Sequence, residues 1–253
     1  ALLYAQDRVV KTEDWRQAAV QEARKAYAAD PNLSRNIYGL ATALADVDTD
    51  PSDKEAIELL EDASKRLSDY SYRHRAGQIR IKQLTRRYRT AMKVLEKDPA
   101  DTKAKVAAEQ AAQQLHASEL EHYRLGIQNY PTDLKLKYEY ALRLLKEGRF
   151  DEAIPQFQEA RKDPSRRIGA MNQIGICFLA KGWLNDALDV FTAALNEHET
   201  KDDVMGKELR YNLARTYEEM GQADKALEIY RKIAQLDFAY KDVSTRIGKL
   251  RPI

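Results

Sequence analysis

Residues 134–237 repeat one unit three times, which leaves few folds open to the chain. Aligned on Gly148, Gly182 and Gly221, each copy has alanine five residues later: Ala153, Ala187 and Ala226. Four residues further comes an aromatic (Phe157, Phe191, Tyr230), and three beyond that a small or aliphatic residue (Ala160, Ala194, Ile233). Seven residues before each glycine stands Ala141, Gly175 or Ala214, preceded by Tyr140, Ile174 or Leu213. The glycines are 34 and 39 residues apart. A period in this range predicts helical hairpins. Small residues at fixed offsets let two helices approach, aromatics at i, i+3 and i+4 spacing fill the seam, and each glycine ends a first helix.

This pattern resembles the tetratricopeptide repeat (TPR) family in its bacterial type, specifically over 134–237 and more loosely upstream. The resemblance implies an α-α superhelix: a right-handed solenoid of paired helices whose concave face binds peptides or partner proteins. It does not imply catalysis.

Glycine and proline are sparse while helix formers abound, so the chain is expected to be all-α. Charged residues make up 32% but nearly cancel at +2, so bulk charge names no partner. No apolar run approaches the roughly 18 residues of a membrane span. A cytoplasmic location is expected. The single cysteine, Cys177, excludes an internal disulfide and is expected in the core.

The domain reading is degenerate helical repeats over 1–69, an extended hairpin over 70–131, three repeats over 132–237 and a C-terminal capping helix over 238–253. Residues 14–31 read as the second helix of a weak repeat, with Ala19, Ala23 and Ala26 on one face. Residues 2–11 read as the tail of that repeat's first helix. The chain then starts mid-repeat, at Ala1 rather than methionine, and further repeats are expected to precede it. Residues 33–45 and about 51–67 form the next pair. The aspartates at 46, 48 and 50 resemble the opening of an EF-hand loop. However, Pro51 stands where that loop needs glycine and Ile57 where it needs glutamate. The segment reads instead as a helix start with Asp50 as N-cap and Pro51 in the first turn.

Residues 71–129 break the rhythm. Ile81, Leu84, Tyr88, Ala91 and Leu95 on one side, and Ala104, Ala108, Ala111, Leu115, Ser118, His122 and Leu125 on the other, form coiled-coil seams. They predict an enlarged antiparallel hairpin whose helices, of about 26 residues, run roughly 40 Å. Its first strand carries nine Lys and Arg against the single acid Glu96. Arg80, Arg86, Arg87 and Arg89 are candidate polyanion contacts, and nucleic acid is the corresponding partner. The alternative is a solvated face balanced by the acidic run 46–62, which has eight acids and one lysine.

No phosphate loop, dinucleotide fingerprint, zinc-protease motif or nucleophile elbow occurs, and the four histidines are scattered. No catalytic residue, cofactor or metal site is expected. Carried over from the family, the concave face would be lined by Tyr138 and Leu142, then Asn172, Gln173, Ile176 and Leu179, then Tyr211, Asn212, Arg215 and Glu219. The carboxylate clamp of one family subtype lacks its cations here, since the matching places hold Tyr138, Leu142, Gln173, Glu208 and Asn212. The leading function is a non-catalytic scaffold holding a protein or peptide partner in that groove. The alternatives are a polyanion-associated module using the basic helix, and a regulatory segment of a larger enzyme.

Overall fold

The computed structural model describes residues 13–250, and the reading of residues 2–11 lies outside them. The all-α expectation holds: the described residues form twelve helices and no strand. The chain divides into two compact units, Ala1–Asn129 and Tyr130–Ile253.

In the N-terminal unit, α1 (Glu13–Ala29), α2 (Ser34–Val47), α3 (Asp50–Leu67), α4 (Tyr70–Lys97) and α5 (Thr102–Asn129) each pack on the next. Ile37, Leu40, Ala41, Leu44, Ala56, Leu60 and Ala63 fill its core, and Tyr72, Ala76 and Ile79 extend it onto α4. The inner face of α1 is Ala19, Val20, Ala23 and Tyr27 rather than Ala19, Ala23 and Ala26. Ala26 is exposed, because Tyr27 and not Ala26 continues the turn that starts at Val20. The cap of α3 is Thr49, whose hydroxyl accepts from Ser52 N, so Asp50 falls inside the first turn. Helices α4 and α5 have 28 residues each, about 42 Å at ~1.5 Å per residue, and pack antiparallel. Asp101 begins α5 by accepting from Lys103 N and Ala104 N. Seam residues such as Leu84, Tyr88, Leu95 and Leu115 are only half-buried.

In the C-terminal unit, α6 (Leu134–Lys146) pairs with α7 (Phe150–Ala160), α8 (Arg167–Ala180) with α9 (Leu184–Glu197), and α10 (Val204–Glu219) with α11 (Ala223–Leu236). A last helix, α12 (Val243–Leu250), lies against α11. The three glycines that define the period have φ of 72°, 74° and 72°, a conformation an L side chain rarely adopts. Around them one bond recurs: Arg149 N to Leu144 O at 3.0 Å, Trp183 N to Phe178 O at 2.9 Å, and Gln222 N to Tyr217 O at 2.9 Å. This is the closing bond of a Schellman turn, and it stops each first helix and reverses the chain. Phe157, Phe191 and Tyr230 are fully enclosed, and so are Ala153, Ala187 and Ala226, which bring each pair together. The longer period of the last repeat comes from the turn after α9. There His198 pairs with Asp203 at 2.8 Å, and Arg210 holds Lys201 O and Asp202.

Cys177 is buried among these helices, and burial pushes its thiol up to about 12, so the thiolate needed for reaction is suppressed. No helix of the described residues is long and apolar enough to cross a membrane.

Candidate interaction face of the C-terminal unit

Helix α6 meets α8, and α8 meets α10, so the first helices of the three pairs form one layer. The buried residues of the first helices are Leu136, Tyr140, Ala141 and Leu144 of α6, Ala170, Ile174 and Cys177 of α8, and Leu209, Leu213 and Ala214 of α10; Leu209 and Leu213 cluster with Ala187, Phe191 and Ala194 of α9, and Ala214 with Ala226 and Tyr230 of α11. Of the sequence candidates, Tyr138 and Leu142 on α6, Gln173, Ile176 and Leu179 on α8, and Arg215 on α10 are half-buried, with Ile176 and Leu179 against the cluster around Met171 and Phe191, and Glu219 is exposed. Tyr138 meets the ring of Phe157 edge-on at 5.6 Å, and its hydroxyl reaches α8 where Gly169 has no side chain. Burial raises the Tyr138 phenol above its ordinary range, with Glu139 adding to the effect and Arg166 opposing it.

Three of the sequence candidates are differently placed. Asn172 and Asn212 are buried, and Asn212 Nδ2 donates to Asn172 Oδ1 at 2.9 Å. They tie α8 to α10 across 40 residues of chain. Tyr211 is buried as well, donating from its hydroxyl to Asp242 at 2.6 Å under the ammonium of Lys241, which stands 4.4 Å from its ring centre. Burial and the acceptor Asp242 both raise its phenol.

Tyr211 belongs to a polar cluster that the sequence reading missed. Glu208 accepts from Tyr240 at 2.7 Å and from Lys241, and Glu218 accepts from Arg246 at 2.6 Å and Tyr230 at 2.9 Å. Burial alone would raise the Glu208 carboxyl, but the bonds from Lys241 and Tyr240 outweigh it and hold the group below its usual value. Through Glu208, Tyr211 and Glu218, α10 is bonded to the segment before α12, to Arg246 of α12 and to Tyr230 of α11. The signal was present: Val243, Ile247 and Gly248 stand 34 residues after Leu209, Leu213 and Ala214.

The basic helix α4 is placed in the N-terminal unit. Arg86 bonds Asp48 at 2.8 Å, Asp50 at 2.5 Å and Asp53 at 2.7 Å, Arg87 bonds Asp50 at 2.8 Å, and Arg80 bonds Glu61 at 2.7 Å. Lys82 pairs with Asp48 at 2.8 Å. Four of its cations are thus paired with the acidic run, while Arg89 and Lys93 stand exposed beside a shallow groove with Thr85 and Thr90. His122 is buried on the seam, its ring stacked on His74 at 4.6 Å. Among the described residues no three metal-binding side chains converge.

The sequence matches no family model and no curated protein. Solved structures do match. YrrB, described as a TPR protein with an unusual peptide-binding site, overlays with a TM-score of 0.57 at 18% identity, covering 91% of this chain and 100% of its own. MamA from MSR-1 gives a TM-score of 0.48 at 18% identity, covering 86% of this chain and 99% of its own. TTC0263, a thermophilic TPR protein in Thermus thermophilus, gives 0.46 at 17% identity, covering 93% and 98%. The overlay on YrrB, the highest of the three, agrees with the glycine-capped helix pairs seen here. The chain is built on the tetratricopeptide repeat fold.

Proposed function

We propose that the chain is a non-catalytic interaction scaffold that takes a peptide segment of a partner protein on the first-helix layer of its C-terminal unit. One observation carries this reading: Tyr138, Leu142, Gln173, Ile176 and Leu179, on the neighbouring helices α6 and α8, form a mostly apolar row that stays half-open to solvent. Such a row suits apolar side chains of the ligand, while Gln173 can bond its backbone. A terminal carboxylate is a poor ligand, because Glu208 occupies a place where a clamp would need a cation and already holds Lys241. YrrB, whose fold is similar, is described as having a peptide-binding site, which is consistent with this use of the layer.

The paired state of Arg80, Arg86 and Arg87 favours this face over the basic helix as the binding surface.

The test uses peptides selected against the chain from a random library. Tyr138→Ala combined with Ile176→Ala is expected to weaken binding at least tenfold with helicity unchanged. The sequence-based choice of Tyr138→Ala with Asn172→Ala is less clean, because removing Asn172 also strips Asn212 of its buried partner. Equal affinity in the Tyr138/Ile176 variant would move the site off this layer.

A further inference from the structure

Counted back six residues from the three turn glycines, Leu142, Ile176 and Arg215 hold the same place in successive repeats. Each stands on a first helix and each is half-buried, and α6 meets α8 as α8 meets α10. The place is thus apolar in two helix pairs and cationic in the third.

The other half-buried arginines of the C-terminal unit are committed to carboxylates. Arg143 bonds Glu139, Arg166 bonds Asp163, Arg210 bonds Asp202 at 2.8 Å, and Arg246 bonds Glu218 at 2.6 Å and Asp242 at 2.9 Å. Arg215 has no hydrogen-bond or ion-pair partner among the described residues. The acids of its own helix do not serve it. Glu208 holds Lys241 and Tyr240, Glu218 holds Arg246 and Tyr230, and Glu219, one turn on, is exposed and makes no bond to it. Half-burial strips a guanidinium of part of its water, and its five N–H donors then favour a carboxylate held by two parallel bonds.

We infer that Arg215 selects the ligand of the first-helix layer: an extended peptide that sets an aspartate or glutamate side chain on Arg215 and apolar side chains on Ile176 and Leu142. The inference rests on the peptide reading above and adds to it the charge and order of the ligand's residues. Packed helices stand about 8–10 Å apart, and an extended chain advances about 3.3 Å per residue. The acid therefore falls about three residues from the apolar side chain over Ile176, with a second apolar side chain about three residues beyond that.

The test runs the random-library selection on the intact chain and, separately, on Arg215→Glu. Selected peptides are synthesised with amidated C-termini, so that side chains are their only carboxylates, and measured by fluorescence anisotropy. Peptides taken on the parent should carry Asp or Glu at one fixed place. Changing that acid to its amide should weaken binding about tenfold, the usual scale for a lost hydrogen bond to a charged group. Arg215→Gln in the chain should weaken the acidic peptide by the same factor and leave the amide peptide unchanged. Its melting temperature should match the parent's, because Arg215 holds no other described residue. Selection on Arg215→Glu should return Lys or Arg at the same place. Peptides that lose affinity on Tyr138→Ala with Ile176→Ala, yet show no acid preference and bind Arg215→Gln as tightly as the parent, would overturn this inference and leave the layer standing. Binders indifferent to the Tyr138/Ile176 change, or a selection that yields none, would remove the layer and the inference with it.

Discussion

Replacing Phe191 with alanine is expected to destabilise the C-terminal unit by about 3–5 kcal/mol, the usual loss for truncating a fully buried phenylalanine. The ring is completely enclosed, and Gly175 on the facing helix has no side chain with which to fill the space left behind. Relaxation would need α8 and α9 to move together, yet Ala187 and Ala194 already hold them at close range. In stacked repeats the damage spreads, since each pair is stabilised by its neighbours as well as by its own seam. Urea denaturation followed by far-ultraviolet circular dichroism reads the loss, with Thr192→Ala, exposed on the next residue, as the control expected within about 0.5 kcal/mol. A loss below about 1 kcal/mol for Phe191→Ala would mean that the small–aromatic register does not hold the pairs together.

The second large effect is expected at Arg86. Its guanidinium joins Asp48, Asp50 and Asp53, and Asp53 is fully buried with one oxygen, Oδ1, lacking a hydrogen-bond partner. Arg86→Met keeps most of the volume but removes the guanidinium bonded to Asp53. Stranding a buried carboxylate in this way costs about 3 kcal/mol or more at neutral pH. The pH dependence follows from two opposite shifts. Burial raises the Asp53 carboxyl above its ordinary value although Arg86 opposes this, so the native state holds that proton more tightly than the unfolded chain. The Asp53 contribution to stability is therefore greatest in acid and declines as pH rises through its native value. Asp48, bonded first by Lys82, and Asp50, bonded first by Arg86, lie below theirs. Their contribution is present above the unfolded value of 3.8 and lost as pH falls through the native values. Above pH ~4 the Arg86 pairs with Asp48 and Asp50 persist, and the gap between the two proteins narrows on acidification because in the variant Asp53 can neutralise itself. Urea midpoints measured from neutral pH to pH ~4 should converge. A gap that stays constant would show that Arg86 acts through packing alone.

The helix pairs were legible because their determinants are local and repeated. A glycine at positive φ, an alanine at the crossing and an aromatic four residues later carry the same meaning in each copy. The length of the α4–α5 hairpin was legible for a related reason, since a seam at alternating spacings of three and four can only be one continuous helix face. Two features were not read correctly. Thr49 and Asp50 are both competent caps one residue apart, and Asp50 is claimed by Arg86 and Arg87, which lie 36 and 37 residues away. Asn172 and Asn212 sit at helical positions that predict an outward face, but periodicity cannot reveal that two amides on neighbouring helices will satisfy one another.

The central claim is that the first-helix layer of the C-terminal unit is the working surface, and chemical-shift mapping with a library-selected peptide tests it most directly. On titration, the amides of α6 and α8 around Tyr138, Leu142, Gln173, Ile176 and Leu179 should shift most, while α4 of the basic hairpin stays unperturbed. Shifts concentrated on α4 around Arg86, Arg87 and Arg89, with α6 and α8 silent, would contradict the account.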